Sequence, residues 1–188
     1  AENFKNASKN FTNVRFEVVD GALTITKREV TLTSATAEKV YDGEELTNDQ
    51  VTVTGDLFAD GEGATYEVTG TQTDAGNSSN AFTYTLNDNT KVDNYTINKV
   101  EGTLTVTPVT DEVVVKVTGK TDTQKYDGAE KTVTDYTVKI DNDLYKEEYF
   151  TFEGTAEVKA IDAGTHPMGL KAENFKNASK NFTNVRFE

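Results

Sequence analysis

The sequence predicts an all-β protein made of two small tandem β domains in an elongated arrangement. Three observations support this prediction. Apolar and polar residues alternate in several segments that are rich in threonine, of which the chain has 31. Long helical periodicity is missing. Residues 1–17 (AENFKNASKNFTNVRFE) recur letter for letter as residues 172–188, an offset of 171 residues, which indicates one period of a tandem array and a short overlap.

The alternating segments have the period of two residues that is typical of half-buried antiparallel strands. β-Branched and aromatic residues favour strands, and threonine keeps the solvent face polar. The clearest of these segments are residues 30–33 (VTLT), 51–54 (VTVT), 82–86 (FTYTL) and 104–107 (LTVT). Turn-forming residues separate them, at Asp42-Gly43, Asp60-Gly61, Asp74-Ala75-Gly76, Asp127-Gly128 and Asp162-Ala163-Gly164.

Two segments could form short helices, residues 44–50 and residues 172–179. Short strands at regular spacing favour an immunoglobulin-like sandwich for each domain. A β-grasp-like domain that uses one of the two short helices is the alternative.

A second, weaker repeat lies inside the 171-residue period. Residues 30–43 (VTLTSATAEKVYDG) align with residues 115–128 (VKVTGKTDTQKYDG) at an offset of 85 residues. Further landmarks follow in the same order. We align the two Asp-Ala-Gly turns with each other, residues 94–96 with 181–183, and residues 102–107 (GTLTVT) with 21–26 (GALTIT).

This alignment predicts the domain boundaries. Repeat A covers residues 27–108 and ends at Pro108, because proline cannot continue a central strand. Repeat B covers residues 109–188 and lacks its closing strand. Residues 1–26 are then the C-terminal part of a preceding B repeat and include that strand, at 18–26. We expect this segment either to fray or to complete the truncated B unit of another chain, head to tail.

Composition limits the classes of partner. The chain has 19 basic and 32 acidic residues, a net charge of −13, which repels nucleic acid and anionic membranes. It has no cysteine, and therefore no disulfide, thiolate nucleophile or cysteine metal site. Neither a membrane span nor a signal or anchoring segment is recognisable. We expect no contact of this part of the chain with a membrane.

The most recognisable motif is Tyr-Asp-Gly, at residues 41–43 and again at 126–128. Its tyrosines could stack on carbohydrate. The structural interpretation is a tyrosine packed over a turn, in which the aspartate caps backbone N–H groups and the glycine takes a positive φ. Because both repeats carry the motif in the same register, we favour the structural interpretation.

We predict no catalytic, cofactor or metal site. Asp and Asn clusters at residues 87–89 and 141–143 could supply oxygen ligands to Ca²⁺, but they also suit solvated turns. The single histidine, His166, lies beside Pro167 in a predicted loop, and no Gly-x-Ser-x-Gly motif accompanies it. We therefore expect the protein not to be an enzyme.

Two covalent modifications are conceivable. An isopeptide bond could join Lys27 or Lys116 to an asparagine or aspartate on a late strand, provided that the lysine is buried. Asn-x-Ser/Thr sequons would be glycosylation sites in a eukaryotic secretory protein. We interpret them instead as strand and turn residues; they are Asn6, Asn10, Asn77, Asn94, Asn177 and Asn181.

Both repeats resemble the tandem YDG or MBG-type repeats of large bacterial surface adhesins. The resemblance rests on KVYDG at residues 39–43, KYDG at 125–128, the Asp-Ala-Gly turns and NYTINKVEGTLTVT at 94–107. Repeat B departs from it, because Phe182 stands in place of the tyrosine in our alignment.

The resemblance implies an extracellular protein on the bacterial cell surface, anchored to the cell wall. There the repeats would form a non-enzymatic stalk that projects a binding region, and their partners would be neighbouring repeats of the same array. The alternative is that the repeats themselves bind host glycoprotein or glycan weakly and gain avidity by number.

Overall fold

The structure is a computed structural model that describes residues 3–188, and it is all-β as predicted. Within this part of the chain, no strand lies before Arg28, and the only helices are single 3-10 turns. Eight strands belong to repeat A: β1 Arg28–Ser34, β2 Ala37–Val40, β3 Val51–Gly55, β4 Ala64–Val68, β5 Gly76–Asn80, β6 Phe82–Leu86, β7 Tyr95–Val100 and β8 Gly102–Thr107. Seven belong to repeat B: β9 Val113–Gly119, β10 Lys131–Thr134, β11 Tyr136–Ile140, β12 Phe150–Phe152, β13 Glu157–Ala160, β14 Phe175–Asn177 and β15 Val185–Phe187.

The two repeats share most of their sheet topology. In repeat A, β1 pairs antiparallel with β3 and parallel with β7. In repeat B, β9 pairs antiparallel with β11 and parallel with β15. A two-stranded antiparallel sheet accompanies each of these sheets, β4 with β6 and β12 with β14. All of these strand pairings lie inside one repeat or the other.

One sheet distinguishes repeat A from repeat B. In repeat A, β8 lies between β2, which is parallel to it, and β5, which is antiparallel. In repeat B, the residues at the positions of β2 and β5 form no strand. Instead β10 and β13 pair with each other, where repeat A has only an isolated bridge between Leu46 and Gln72.

The strands form because their alternating residues bury one face. Along β1, Val30, Leu32 and Ser34 point inward and are almost completely buried. Val30 and Leu32 pack with Phe82 and Tyr95, and these four residues form the core of repeat A. The predicted alternating segments at 30–33, 51–54, 82–86 and 104–107 all lie in strands, as β1, β3, β6 and β8.

The two predicted helices are not found. Residues 44–50 carry no helix, because Leu46 exchanges both backbone hydrogen bonds with Gln72 (2.8 and 3.1 Å). Ala172–Asn174 is a single 3-10 turn, after which Phe175 enters β14 and stacks on Phe152 at 4.6 Å between ring centroids. A β-grasp-like domain requires a helix, and neither segment forms one beyond a single 3-10 turn. The sheets are consistent with a sandwich-type fold.

The predicted strand at residues 18–26 is also absent. These residues are exposed, and none of them takes part in a strand. None of them pairs with a strand of repeat A, and the boundary at residue 27 stays a prediction. Across residues 3–188, the structure contains no helix that is both long and apolar enough to cross a membrane.

Candidate functional site: the junction between the repeats

The candidate functional site is the contact between the two repeats, where residues of both form a second buried cluster. One buried cluster contains Tyr41 and Val106 from repeat A together with residues of repeat B. Those residues are Val113, Val115, Tyr145 and Phe182. The junction is therefore part of a hydrophobic core, not a solvated hinge.

Tyr41 is the central aromatic residue of this junction. It is 8% exposed, and its ring meets the ring of Phe182 edge to face, with 5.6 Å between centroids. Phe182 in turn meets Tyr145 edge to face at 5.1 Å. Burial is the main cause that raises the pKa of Tyr41, and the neighbouring Tyr149 adds to it.

A polar contact lies beside the aromatic one. The Asn181 side chain is buried; its Oδ1 accepts a hydrogen bond from the Ala75 backbone N–H at 2.6 Å. Its Nδ2 donates to Asp74 Oδ1 at 3.0 Å. Both partners belong to the Asp-Ala-Gly turn of repeat A. Lys180 also approaches Asp74, at 3.6 Å, but this ion pair is exposed and contributes little.

The Tyr-Asp-Gly turns have the geometry that the sequence suggests. Asp42 Oδ1 accepts the Glu44 backbone N–H at 3.0 Å, and Gly43 has φ +83°. Lys39 donates to Asp42 at 2.6 Å, and this bond is the main cause that lowers the pKa of the carboxyl group.

The second motif forms the same turn. Asp127 accepts the Ala129 N–H at 3.0 Å and the Lys131 Nζ at 2.6 Å, and Gly128 has φ +80°. The bond from Lys131 is the main cause that lowers the pKa of Asp127.

The tyrosines of the two motifs differ. Tyr41 packs against Phe182 of the other repeat, whereas Tyr126 is 67% exposed. Tyr126 borders a cavity of about 730 Å³ in repeat B, which His166 and Leu170 also line. This contrast was not predicted, because the two motifs have the same sequence and only the neighbouring repeat distinguishes them.

The strand registers correct one part of the predicted alignment. Tyr95 lies opposite Arg28 at the start of β1, and Val185 lies opposite Val113 at the start of β9. Arg28 and Val113 are 85 residues apart, so Val185 is the counterpart of Tyr95. Phe182 is therefore not that counterpart, and it belongs to the junction. Tyr95 is buried in its own repeat, where its hydroxyl donates to Glu62 and accepts the Ala59 N–H.

In the candidate Ca²⁺ clusters, several side chains form hydrogen bonds with backbone groups of the protein. Asp141 Oδ1 accepts the Val114 N–H at 2.8 Å, and Asn142 Oδ1 accepts the Leu144 N–H at 2.8 Å. At the other cluster, Asn89 donates to the Gly61 carbonyl at 2.6 Å. Within residues 3–188, no three acidic or histidine side chains are grouped as metal ligands.

The remaining candidates are placed as follows. His166 Nε2 lies 3.0 Å from the Asp162 carbonyl oxygen. Lys27 and Lys116 are both exposed and so lack the burial that an isopeptide bond requires. Asn177 binds inside repeat B, where its Oδ1 accepts the Tyr145 hydroxyl and its Nδ2 donates to Phe182 O. Asn177 and Asn181 thus use their amides for structure.

Comparisons of the chain with protein-family models, with curated proteins and with solved structures found no significant match.

Proposed function

We propose that the chain is a segment of an extracellular stalk of a bacterial surface protein. Its repeats would be non-enzymatic spacers that project a binding region away from the cell wall. Their partners would be the neighbouring repeats of the same array. The observation that supports this proposal most strongly is the hydrophobic core that repeats A and B share at their junction.

A shared core suits a spacer because it couples the orientation of one unit to that of the next. A flexible linker would let the units reorient, and the span of the array would then grow only with the square root of its length. Here Tyr41 and Asn181 fix the junction by burial and by two hydrogen bonds. An array with such junctions would lengthen in proportion to the number of repeats.

The net charge of −13 also suits proteins presented side by side at high density. A charge of one sign keeps neighbouring stalks apart and soluble.

One observation favours the second candidate function, weak binding of host glycoprotein or glycan. Tyr126 is largely exposed at the edge of the cavity in repeat B, and an exposed aromatic ring can stack on a sugar.

The two candidates are tested by displaying the 188-residue chain at high valency on beads and exposing it to mucin and to a glycan array. For a stalk, we expect no retention beyond that of beads carrying the Tyr126→Ala variant. Saturable retention that Tyr126→Ala abolishes would favour binding of glycoprotein or glycan over the stalk function. Valency matters in this assay because weak sites gain orders of magnitude in avidity when they are linked.

A further inference from the structure

The first and last segments of repeat A, residues 28–40 and 95–107, lie side by side and run in the same direction. Within them, β1 pairs parallel with β7 and β2 pairs parallel with β8. In both ladders the paired residues are 67 positions apart in the sequence. The two segments therefore form one parallel ladder in a single register, bent where the chain passes from the first sheet to the second.

Side-chain hydrogen bonds continue this ladder across the bend. At the end of β1, the Ser34 hydroxyl accepts the Gly102 N–H at 2.9 Å. Two residues later, Thr36 Oγ1 accepts the Thr103 N–H at 3.1 Å. Hydrogen bonds between the two segments therefore extend from the start of β1 to the end of β8.

Tension along the chain would load this ladder in shear. The chain continues on both sides of repeat A, into residues 3–26 before β1 and into repeat B after β8. Tension therefore pulls β1 toward its N-terminal end and β8 toward its C-terminal end. Because the two segments are parallel, these pulls are opposite and lie along the strands. The hydrogen bonds then share the load, whereas a pull across the strands breaks them one after another.

Burial also opposes sliding of the two segments past each other. Val30 and Leu32 in β1, and Leu104 and Val106 in β8, are almost completely buried. A slip of one residue turns every side chain of a strand to the other face of the sheet. Such a slip would place the alternating threonines in the core and expose these four apolar side chains.

We propose that residues 28–40 and 95–107 form a mechanical clamp that keeps repeat A folded under tension along the array. Repeat B begins in the same way, because its first strand, β9, pairs parallel with β15. The clamp rests on the proposed stalk function, since a spacer bears load whenever the region that it projects holds a target. It adds to the stalk a resistance to force that depends on the direction of the pull.

The experiment is unfolding of the 188-residue chain at constant force in optical tweezers, with two directions of pulling. Because the chain has no cysteine, pairs of exposed residues can be replaced to carry the handles. Lys27→Cys with Thr110→Cys pulls in the direction of the array and shears the ladder. Lys27→Cys with Asp93→Cys attaches both handles at the same end of the ladder, where Arg28 lies opposite Tyr95, and peels it open.

At the same force, we expect the sheared chain to stay folded longer than the peeled chain by a factor on the order of ten or more. Forced unfolding is governed by the unfolding rate, and a tenfold change in rate corresponds to about 1.4 kcal/mol in the barrier. The length gained, about 3.4 Å for each residue between the handles, identifies repeat A as the unit that unfolds. Without load, the two double-cysteine chains should have the same urea midpoint, because all three positions are exposed.

Equal lifetimes in the two directions, or a shorter lifetime in shear, would overturn the clamp. That result would leave the stalk proposal standing, because a spacer requires only fixed junctions. Retention of mucin or glycan in the bead assay would instead count against the stalk and would not change the ratio of the two lifetimes.

Thr36→Ala tests whether the load crosses the bend. It removes the side-chain acceptor of the Thr103 N–H, and we expect it to shorten the lifetime in shear by about twofold to tenfold, the equivalent of one hydrogen bond. The matched control is Thr52→Ala, an exposed threonine of β3 outside the clamp, which should leave the lifetime unchanged. Equal lifetimes of these two variants in shear would overturn a continuous clamp.

Discussion

Tyr41 and Tyr126 occupy the same position of the same motif, but only Tyr41 has a repeat packed against it. Its ring lies against Phe182, whereas the ring of Tyr126 is exposed. The Asp-Gly turn that follows each tyrosine is local, and therefore the sequence predicts it. The surroundings of the tyrosine depend on a residue 141 positions away in the chain, which no local pattern reveals.

The pair gives a matched test of the junction. Tyr41→Ala removes a buried aromatic ring, and we expect it to lower the free energy of unfolding by about 3 kcal/mol. Tyr126→Ala removes an exposed ring and should change it by less than about 0.5 kcal/mol. Urea unfolding followed by circular dichroism measures both. Equal effects would mean that Tyr41 is not part of a stabilising core.

Tyr145 makes the stability of repeat B sensitive to high pH. Burial raises its pKa from 10.0 to about 12. An unfolded chain ionises this tyrosine near pH 10, whereas the folded chain keeps it neutral up to higher pH. The stabilisation is therefore complete below pH 10 and is lost as the pH rises from 10 to 12.

We expect the urea midpoint to fall steeply between pH 10 and pH 12, and Tyr145→Phe to make that fall shallower. The variant also loses hydrogen bonds to Tyr149 O and Asn177 Oδ1, so its midpoint should be lower at pH 8 as well. The decisive comparison is the slope of the urea midpoint against pH between pH 10 and pH 12. If the slope of Tyr145→Phe equals that of the unmodified chain, Tyr145 does not cause the loss.

The alternation of apolar and polar residues predicted where the strands lie in the sequence better than it predicted which strands pair. The segments at 30–33 and 104–107 lie in β1 and β8 as expected, because burying one face of a strand imposes a period of two on the sequence itself. The parallel pairings of β1 with β7 and of β2 with β8 join segments that are distant in the sequence, and no local residue pattern indicates them. The helix expected at 44–50 failed for the same reason, since Gln72 pairs with Leu46 from outside the segment.

Strand β8 depends on a glycine at its first residue. A methyl group at Gly102 would lie 2.4 Å from the Ala35 carbonyl oxygen and 2.5 Å from that of Ser34. The Ser34 hydroxyl accepts the Gly102 N–H at 2.9 Å and is itself held by its hydrogen bond to Asn80 O at 2.6 Å, so a shift of the Gly102 backbone would break the first of these bonds.

We therefore expect Gly102→Ala to destabilise repeat A by about 1–3 kcal/mol, the usual range for overpacking. Thr103→Ala, one residue further along the same strand and exposed, is the control and should have little effect. Hydrogen exchange of the β2, β5 and β8 amides reports the change locally. Undiminished protection in Gly102→Ala would show that the strand accommodates a side chain there.

For the whole molecule, the orientation of the two repeats depends on a small number of contacts. The Asn181 side chain connects repeat B to the Asp-Ala-Gly turn of repeat A through two hydrogen bonds, and Tyr41 packs beside them. The sequence predicts that Asn181 is a strand or turn residue equivalent to Asn94. The register of β15 shows that Asn181 is not the counterpart of Asn94. Asn181 instead forms part of the junction between the repeats.

Removing this side chain should loosen the junction without unfolding either repeat. Asn181→Ala leaves the half-buried Ala75 N–H without its acceptor, which costs about 1–3 kcal/mol. Because the chain has no cysteine, one spin label can be placed in each repeat, through Thr83→Cys and Thr151→Cys at exposed strand positions. Pulsed electron paramagnetic resonance then measures the distribution of distances between them. We expect a narrow distribution for the otherwise unmodified chain, a broader one for Asn181→Ala, and no broadening for Asn184→Ala, an exposed asparagine in the same segment. A distribution that is already broad before the substitution would contradict a fixed junction and, with it, the main support for a stalk.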